Sequence, residues 1–141
     1  MDAFSVRTKI MIGGGMDALA QRLHRVFLVT DKFMDESGKT NYVTDRLLRN
    51  SGEFKIFSDV QADPDIATVT RGVEQILEFQ PDAVVAFGGG SAIDAAKAIV
   101  FFAARERDMR DCKFIAIPTT SGTGSEVSRF AVITDREKGV K

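Results

Sequence analysis

The sequence is poor in the residue types that build metal centres and disulfides. Its 141 residues include one cysteine, Cys112, one histidine, His24, and no tryptophan. One cysteine cannot form an internal disulfide, so a reducing cytosol is the expected compartment. A single histidine excludes a multi-histidine metal site, or a cysteine–histidine cluster, built from these residues alone.

Long apolar runs and an excess of charge of one sign are also missing. The longest unbroken apolar run, residues 98–104, has seven residues, whereas a membrane-spanning helix needs about 20. Residues 1–4 have neither the basic start nor the apolar segment of a signal peptide. With 19 basic and 20 acidic residues, the chain lacks the electrostatic footprint of a nucleic-acid binder. We therefore predict a cytoplasmic protein without a nucleic-acid or membrane partner.

The chain does contain short apolar runs that alternate with helical stretches. Strict alternation over residues 4–12 predicts a half-exposed N-terminal edge strand or hairpin. A short helix is then expected near residues 16–23. Further strands are predicted at 26–29, 54–57, 83–87, 114–117 and 130–134, and helices near 39–50, 65–79 and 91–104. This order predicts one α/β domain with a doubly wound, mainly parallel, Rossmann-like sheet that has helices on both faces. Asp63 is the expected cap of the helix near 65–79, with Pro64 in its first turn.

Two glycine-rich loops compete as the site for a pyrophosphate, which such sheets bind at the carboxyl ends of their strands. Residues 13–18 match the pattern G-x-G-x-x-A, and Asp31 follows 18 residues after Gly13. The strand before this loop alternates and the helix after it is short, so a plain turn is favoured there. Residues 88–91 instead follow the most apolar strand and open a long helix, whose N-terminus attracts anions. Ser91 can cap that helix or bind phosphate, and a turn without a ligand is the alternative.

Two further features point to the same cleft. Residues 119–125 contain five hydroxyl side chains, which are expected to line the cleft, although hydroxyls also cap helices. Asp31 follows the strand at 26–29, where a carboxylate can accept the ribose hydroxyls of adenosine and repel a 2′-phosphate. That repulsion favours NAD over NADP, and the neighbouring Lys32 weakens it slightly. The alternative is that Asp31 caps a helix or stabilises a turn.

Two segments together resemble the iron-containing, or group III, alcohol dehydrogenases. They are GGGSAIDAAKAI (Gly88–Ile99) and IPTTSGTGSEVS (Ile117–Ser128), followed by AVITD (Ala131–Asp135). The match covers essentially the whole chain, and within the family the sequence is most similar to the propanol dehydrogenases of propanediol-utilising bacterial microcompartments. The resemblance implies a cytoplasmic or microcompartment oxidoreductase that uses NAD to interconvert a short primary alcohol and its aldehyde. A homo-oligomer is expected.

The resemblance also implies a division of the enzyme into two domains. Residues 1–141 correspond to the N-terminal dinucleotide-binding domain. The C-terminal all-helical domain, which holds Fe²⁺ or Zn²⁺ with one aspartate and three histidines, is absent from this chain. No catalytic residue or metal ligand is therefore expected among these residues, and the chain alone is expected to be inactive.

Roles carry over from the family motif by position. Gly88, Gly89, Gly90 and Ser91 would bind the pyrophosphate, Asp31 the adenosine ribose, and Thr119, Thr120 and Ser128 other parts of the cofactor. Asp63 would lie near the adenine, and Lys141 would reach the nicotinamide ribose. Two alternatives stay open: a non-enzymatic nucleotide-binding or interaction module, and the corresponding domain of a polyol (glycerol-type) dehydrogenase.

Overall fold

In a computed structural model, the chain forms a six-stranded sheet with helices on both faces. The structure describes residues 6–12, 15–62, 65–119 and 130–136. The strands are β1 (Val6–Ile12), β2 (Arg25–Asp31), β3 (Glu53–Val60), β4 (Ala83–Gly88), β5 (Lys113–Pro118) and β6 (Phe130–Arg136). The helices are α1 (Gly15–Ala20), α2 (Lys32–Glu36), α3 (Asn41–Arg49), α4 (Ile66–Phe79) and α5 (Gly90–Ala103).

The sheet has the strand order β1-β6-β5-β4-β2-β3. The four strands β5, β4, β2 and β3 run parallel to one another, whereas β6 is antiparallel to both β5 and β1. The predicted α/β class with a mainly parallel, Rossmann-like sheet is confirmed. Strand β1 lies at one edge of the sheet, where the alternating pattern of residues 4–12 places it.

The parallel strands send alternate side chains into two apolar cores, one on each face of the sheet. Phe27 and Val29 of β2 join the core formed with α4 and α5, while Val26 and Leu28 join the core formed with α1 and α3. Strand β4 is buried along all six of its residues. Because both faces of these strands are covered, their sequences are continuous apolar runs rather than alternating ones.

Two helical features differ from the sequence predictions. The pattern missed α2, a five-residue helix with no buried residue, which is too short to show a helical period. The predicted cap of α4 is also wrong: its N-cap is Asp65, whose carboxylate accepts the Thr68 amide at 2.9 Å. The amide and hydroxyl of Thr68 hold the pKa of Asp65 below its usual value. Asp63 itself lies outside the described residues.

Asp82 joins the beginnings of two central strands. Its carboxylate accepts the amide of His24 at 2.9 Å and that of Arg25 at 3.0 Å. Asp82→Ala leaves both amides without this acceptor, so we expect the free energy of unfolding to fall by about 1–3 kcal/mol. Urea denaturation measures the change. The control Asp82→Asn keeps one acceptor oxygen and should lose less, and an alanine variant as stable as the parent chain would contradict this role.

Candidate functional site

The carboxyl ends of three neighbouring strands bring the predicted site residues to one edge of the sheet. Strand β2 ends at Asp31, β4 at Gly88 and β5 at Pro118. Gly88 and Pro118 are register partners, and the Thr119 amide donates a hydrogen bond to the Gly88 carbonyl at 2.9 Å. A Cβ placed on Gly88 would lie 3.9 Å from Oδ2 of Asp31. Asp31, Gly88 and Thr119 therefore form one cluster.

The turn between β4 and α5 presents backbone amides that no side chain of the described residues covers. Gly89 is the N-cap of α5 and supplies no side-chain cap, and Gly90 is the first helical residue. The first amides of a helix have no partner within it, and they concentrate its positive end. A Cβ on Gly89 or Gly90 would meet no atom of the described residues within 4 Å, so these residues leave the space above the turn open. This arrangement suits a phosphate group, and the residues present fit the pyrophosphate of a dinucleotide.

The Ser91 hydroxyl has a partner within the chain. It donates a hydrogen bond to the Ala62 carbonyl at 2.7 Å, which ties the beginning of α5 to the segment after β3. The expectation that Ser91 caps the helix is wrong, because Gly89 occupies the N-cap position. The Ser91 amide lies in the first turn of α5, and the predicted role of this residue at a phosphate stays a prediction that rests on that amide.

The two carboxylate oxygens of Asp31 face different groups. Oδ1 accepts the Met34 amide at 2.8 Å and caps α2, which is the alternative that the sequence left open. Oδ2 is the oxygen that faces Gly88. Capping therefore uses one oxygen and leaves the other towards the glycine turn, where a ribose hydroxyl can reach it. The ribose contact itself stays a prediction.

Thr30 joins the two strands that carry Asp31 and Gly88. Its hydroxyl donates a hydrogen bond to the Phe87 carbonyl at 2.7 Å, and both residues are fully buried. The bond lies one residue before the ends of β2 and β4, so it fixes the spacing between the carboxylate and the glycine turn. The sequence pattern does not identify Thr30. The signal that could have identified Thr30 is its position at the end of a buried apolar run, because a buried hydroxyl needs a hydrogen-bond partner.

The sheet order also separates the two competing glycine loops. The loop at residues 13–15 follows β1, which three strands separate from β2. At a strand spacing of about 4.8 Å, that distance is about 19 Å across the sheet. Asp31 therefore cannot accept the ribose hydroxyls of a dinucleotide whose phosphates bind at that loop, as the G-x-G-x-x-A pattern requires. Gly88 lies at the end of β4, the immediate neighbour of β2. The geometry favours the loop at residues 88–91.

Some predicted contacts lie outside the described residues. They are Asp63, Thr120, Ser128 and Lys141, and their assigned roles stay predictions. Over the described ranges, no group of three or more histidine, cysteine, aspartate and glutamate side chains could hold a metal ion. The residues described thus do not fit an iron or zinc centre. The same ranges contain no helix with the length and apolar character needed to cross a membrane.

Comparison with known proteins gives consistent matches. The model of the iron-containing alcohol dehydrogenase family matches residues 8–141. The 1-propanol dehydrogenase PduQ of Citrobacter freundii is 42% identical over 100% of this chain and 38% of its own length. The iron-containing alcohol dehydrogenase of Thermococcus thioreducens superposes with a TM-score of 0.68 at 25% identity, over 97% of this chain and 44% of that structure.

A third match has a cofactor in its structure. Sulfoacetaldehyde reductase from Bifidobacterium kashiwanohense, solved in complex with NAD⁺, superposes with a TM-score of 0.62 at 30% identity, over 92% of this chain and 40% of that structure. In each of these three proteins, the chain spans less than half of the length.

Proposed function

The chain belongs to the iron-containing alcohol dehydrogenase family, and we propose that it is the NAD(H)-binding domain of an enzyme that interconverts a short primary alcohol and its aldehyde. The observation that carries the proposal is the open turn at residues 88–91, with its uncovered amides beside Asp31. The whole-chain identity to a 1-propanol dehydrogenase supports a propanol-like substrate. The NAD⁺ complex of a structural neighbour supports the cofactor.

In this proposal the residues of the chain bind and orient the cofactor. The pyrophosphate lies against the amides of Gly89, Gly90 and Ser91, where the positive end of α5 offsets its charge. Oδ2 of Asp31 accepts a hydroxyl of the adenosine ribose. The carbonyl of Gly88 is held by the Thr119 amide, which keeps the end of β5 against the turn. NAD, when bound, supplies the hydride acceptor or donor.

The remaining predicted contacts complete the set around the cofactor. Thr120 and Ser128 would contact it, Asp63 would lie near the adenine, and Lys141 would reach the nicotinamide ribose. We propose that residues 1–141 form the dinucleotide-binding domain and that a separate all-helical domain supplies the metal ligands. In this proposal the chain provides cofactor binding, and the all-helical domain provides the centre that activates the alcohol.

The purified 141-residue chain is expected to bind NAD⁺ and to lack alcohol dehydrogenase activity. The purified residues do not include the proposed all-helical domain that would close the cleft, so much of the cost of ordering the ligand is not offset, and a Kd of roughly 1 µM to 1 mM is expected. Isothermal titration calorimetry measures the affinity, and NADH oxidation with propionaldehyde measures the activity. Turnover above the buffer rate would contradict the proposed division, and absence of NAD⁺ binding would favour an interaction module.

A further inference from the structure

The glycine turn (residues 88–91) is held from both sides by hydrogen bonds to the neighbouring strands. On one side, the amide of Thr119, directly after β5, donates to the Gly88 carbonyl at 2.9 Å. On the other side, the Thr30 hydroxyl of β2 donates to the Phe87 carbonyl at 2.7 Å. Two successive carbonyls are therefore fixed immediately before the amides that begin α5.

The bond from Thr30 lies where the backbone pairing of β2 and β4 has ended. Val29 and Ala86 are the last register partners of these two strands. Thr30 and Phe87 come next and are both fully buried, so bulk water does not compete for their bond. Asp31 follows directly, and its Oδ2 faces the glycine turn. One side-chain hydrogen bond thus sets how far this carboxylate lies from the turn.

On the premise of the proposed function, we propose that Thr30 is a positioning residue, which allows one dinucleotide to contact Asp31 and the glycine turn at the same time. The ligand has a fixed covalent length between its ribose hydroxyls and its pyrophosphate, so both contacts form only when the two protein groups are spaced to match. The two contacts then reinforce each other, because the first brings the second group to its partner. Without the hydroxyl, the buried Phe87 carbonyl loses this donor, which favours separation of the strand ends.

Three probes separate the two contacts. 5′-ADP reaches both groups, inorganic pyrophosphate reaches only the turn, and adenosine reaches only Asp31. Calorimetry on the 141-residue chain measures the affinity of 5′-ADP, and NMR titration measures that of the two weaker probes. Thr30→Val keeps the size of the side chain and removes the hydroxyl, so it should weaken 5′-ADP about tenfold and each of the other probes less than about twofold. Thr30→Ala should give the same pattern, and Thr30→Ser, which keeps the hydroxyl, should bind 5′-ADP as the parent chain does.

A double-mutant cycle with Asp31 gives a readout that a purely structural role of Thr30 would not change. In the Asp31→Ala background the ribose contact is absent, so the spacing between the two groups no longer matters. Thr30→Val should then change the affinity for 5′-ADP less than about twofold. The same tenfold loss in both backgrounds would overturn the proposal, since it would mean that Thr30 acts on the turn alone.

Asp82→Ala is the matched control, because it removes hydrogen bonds between the same two strands at their other end. It should destabilise the chain without changing the affinity of any probe. Equal weakening of 5′-ADP by Asp82→Ala and Thr30→Val would make the effect of Thr30 one of stability only and contradict the proposal. If 5′-ADP does not bind the parent chain, the proposed function itself fails. If it binds the parent chain and Thr30→Val alike, only the role of Thr30 fails.

Discussion

Gly90→Ala is expected to weaken NAD⁺ binding about 100-fold while leaving the fold intact, because two charge-assisted amide contacts would be lost. A Cβ at this position meets no atom of the described residues within 4 Å, so the methyl group enters the space where we place the pyrophosphate. It would hold the phosphate oxygens away from the first amides of α5. Calorimetry measures the affinity, and thermal unfolding measures the stability.

Ile66→Ala is the matched control for this substitution. Ile66 is also the first residue of a 14-residue helix, and its side chain is 84% exposed. Alanine is a better helix former than glycine, so Gly90→Ala should unfold at the same temperature as the parent chain or higher, and Ile66→Ala should bind NAD⁺ normally. Unchanged NAD⁺ affinity in Gly90→Ala would place the phosphates elsewhere on the chain.

The central part of the fold could be predicted from the sequence because burial on both faces leaves a local trace. Runs such as residues 26–29 and 83–87 are apolar throughout, and both lie inside strands that the structure buries. The N-cap of α4 has no such trace. Asp63 and Asp65 are both good caps by residue type, and in the structure Asp65 is the N-cap, with its carboxylate accepting the Thr68 amide.

The candidate site could be predicted only in part, since its parts come together through the order of the strands. Gly88 and Asp31 each carry a local signal in the sequence. Gly88 begins a glycine turn before a helix, and Asp31 is a carboxylate after a strand. The order of the strands places β4 beside β2 and places β1 farther away. This order decides between the two glycine loops.

Gly88→Ala, in contrast to the change at Gly90, is expected to destabilise the chain by about 2–4 kcal/mol, the sum of backbone strain and crowding. Gly88 has φ +147°, a conformation that residues with a Cβ rarely adopt. The new Cβ would also lie 3.1 Å from the Cβ of Ala92, which is buried on α5. Urea denaturation of the two variants should therefore rank Gly88→Ala far below Gly90→Ala.

Strain and crowding at Gly88 can be separated with a double-mutant cycle. Ala92→Gly removes the methyl group that the new Cβ would meet, but it does not change the φ that Gly88 requires. Gly88→Ala should therefore lower the free energy of unfolding less in the Ala92→Gly background than in the parent chain, and the difference is the part due to the contact. In that background it should still destabilise the chain by about 1–3 kcal/mol through backbone strain. A double variant as stable as Ala92→Gly alone would mean that the backbone at residue 88 can adopt an ordinary conformation. Glycine would then be needed there only to give α5 room against the end of β4.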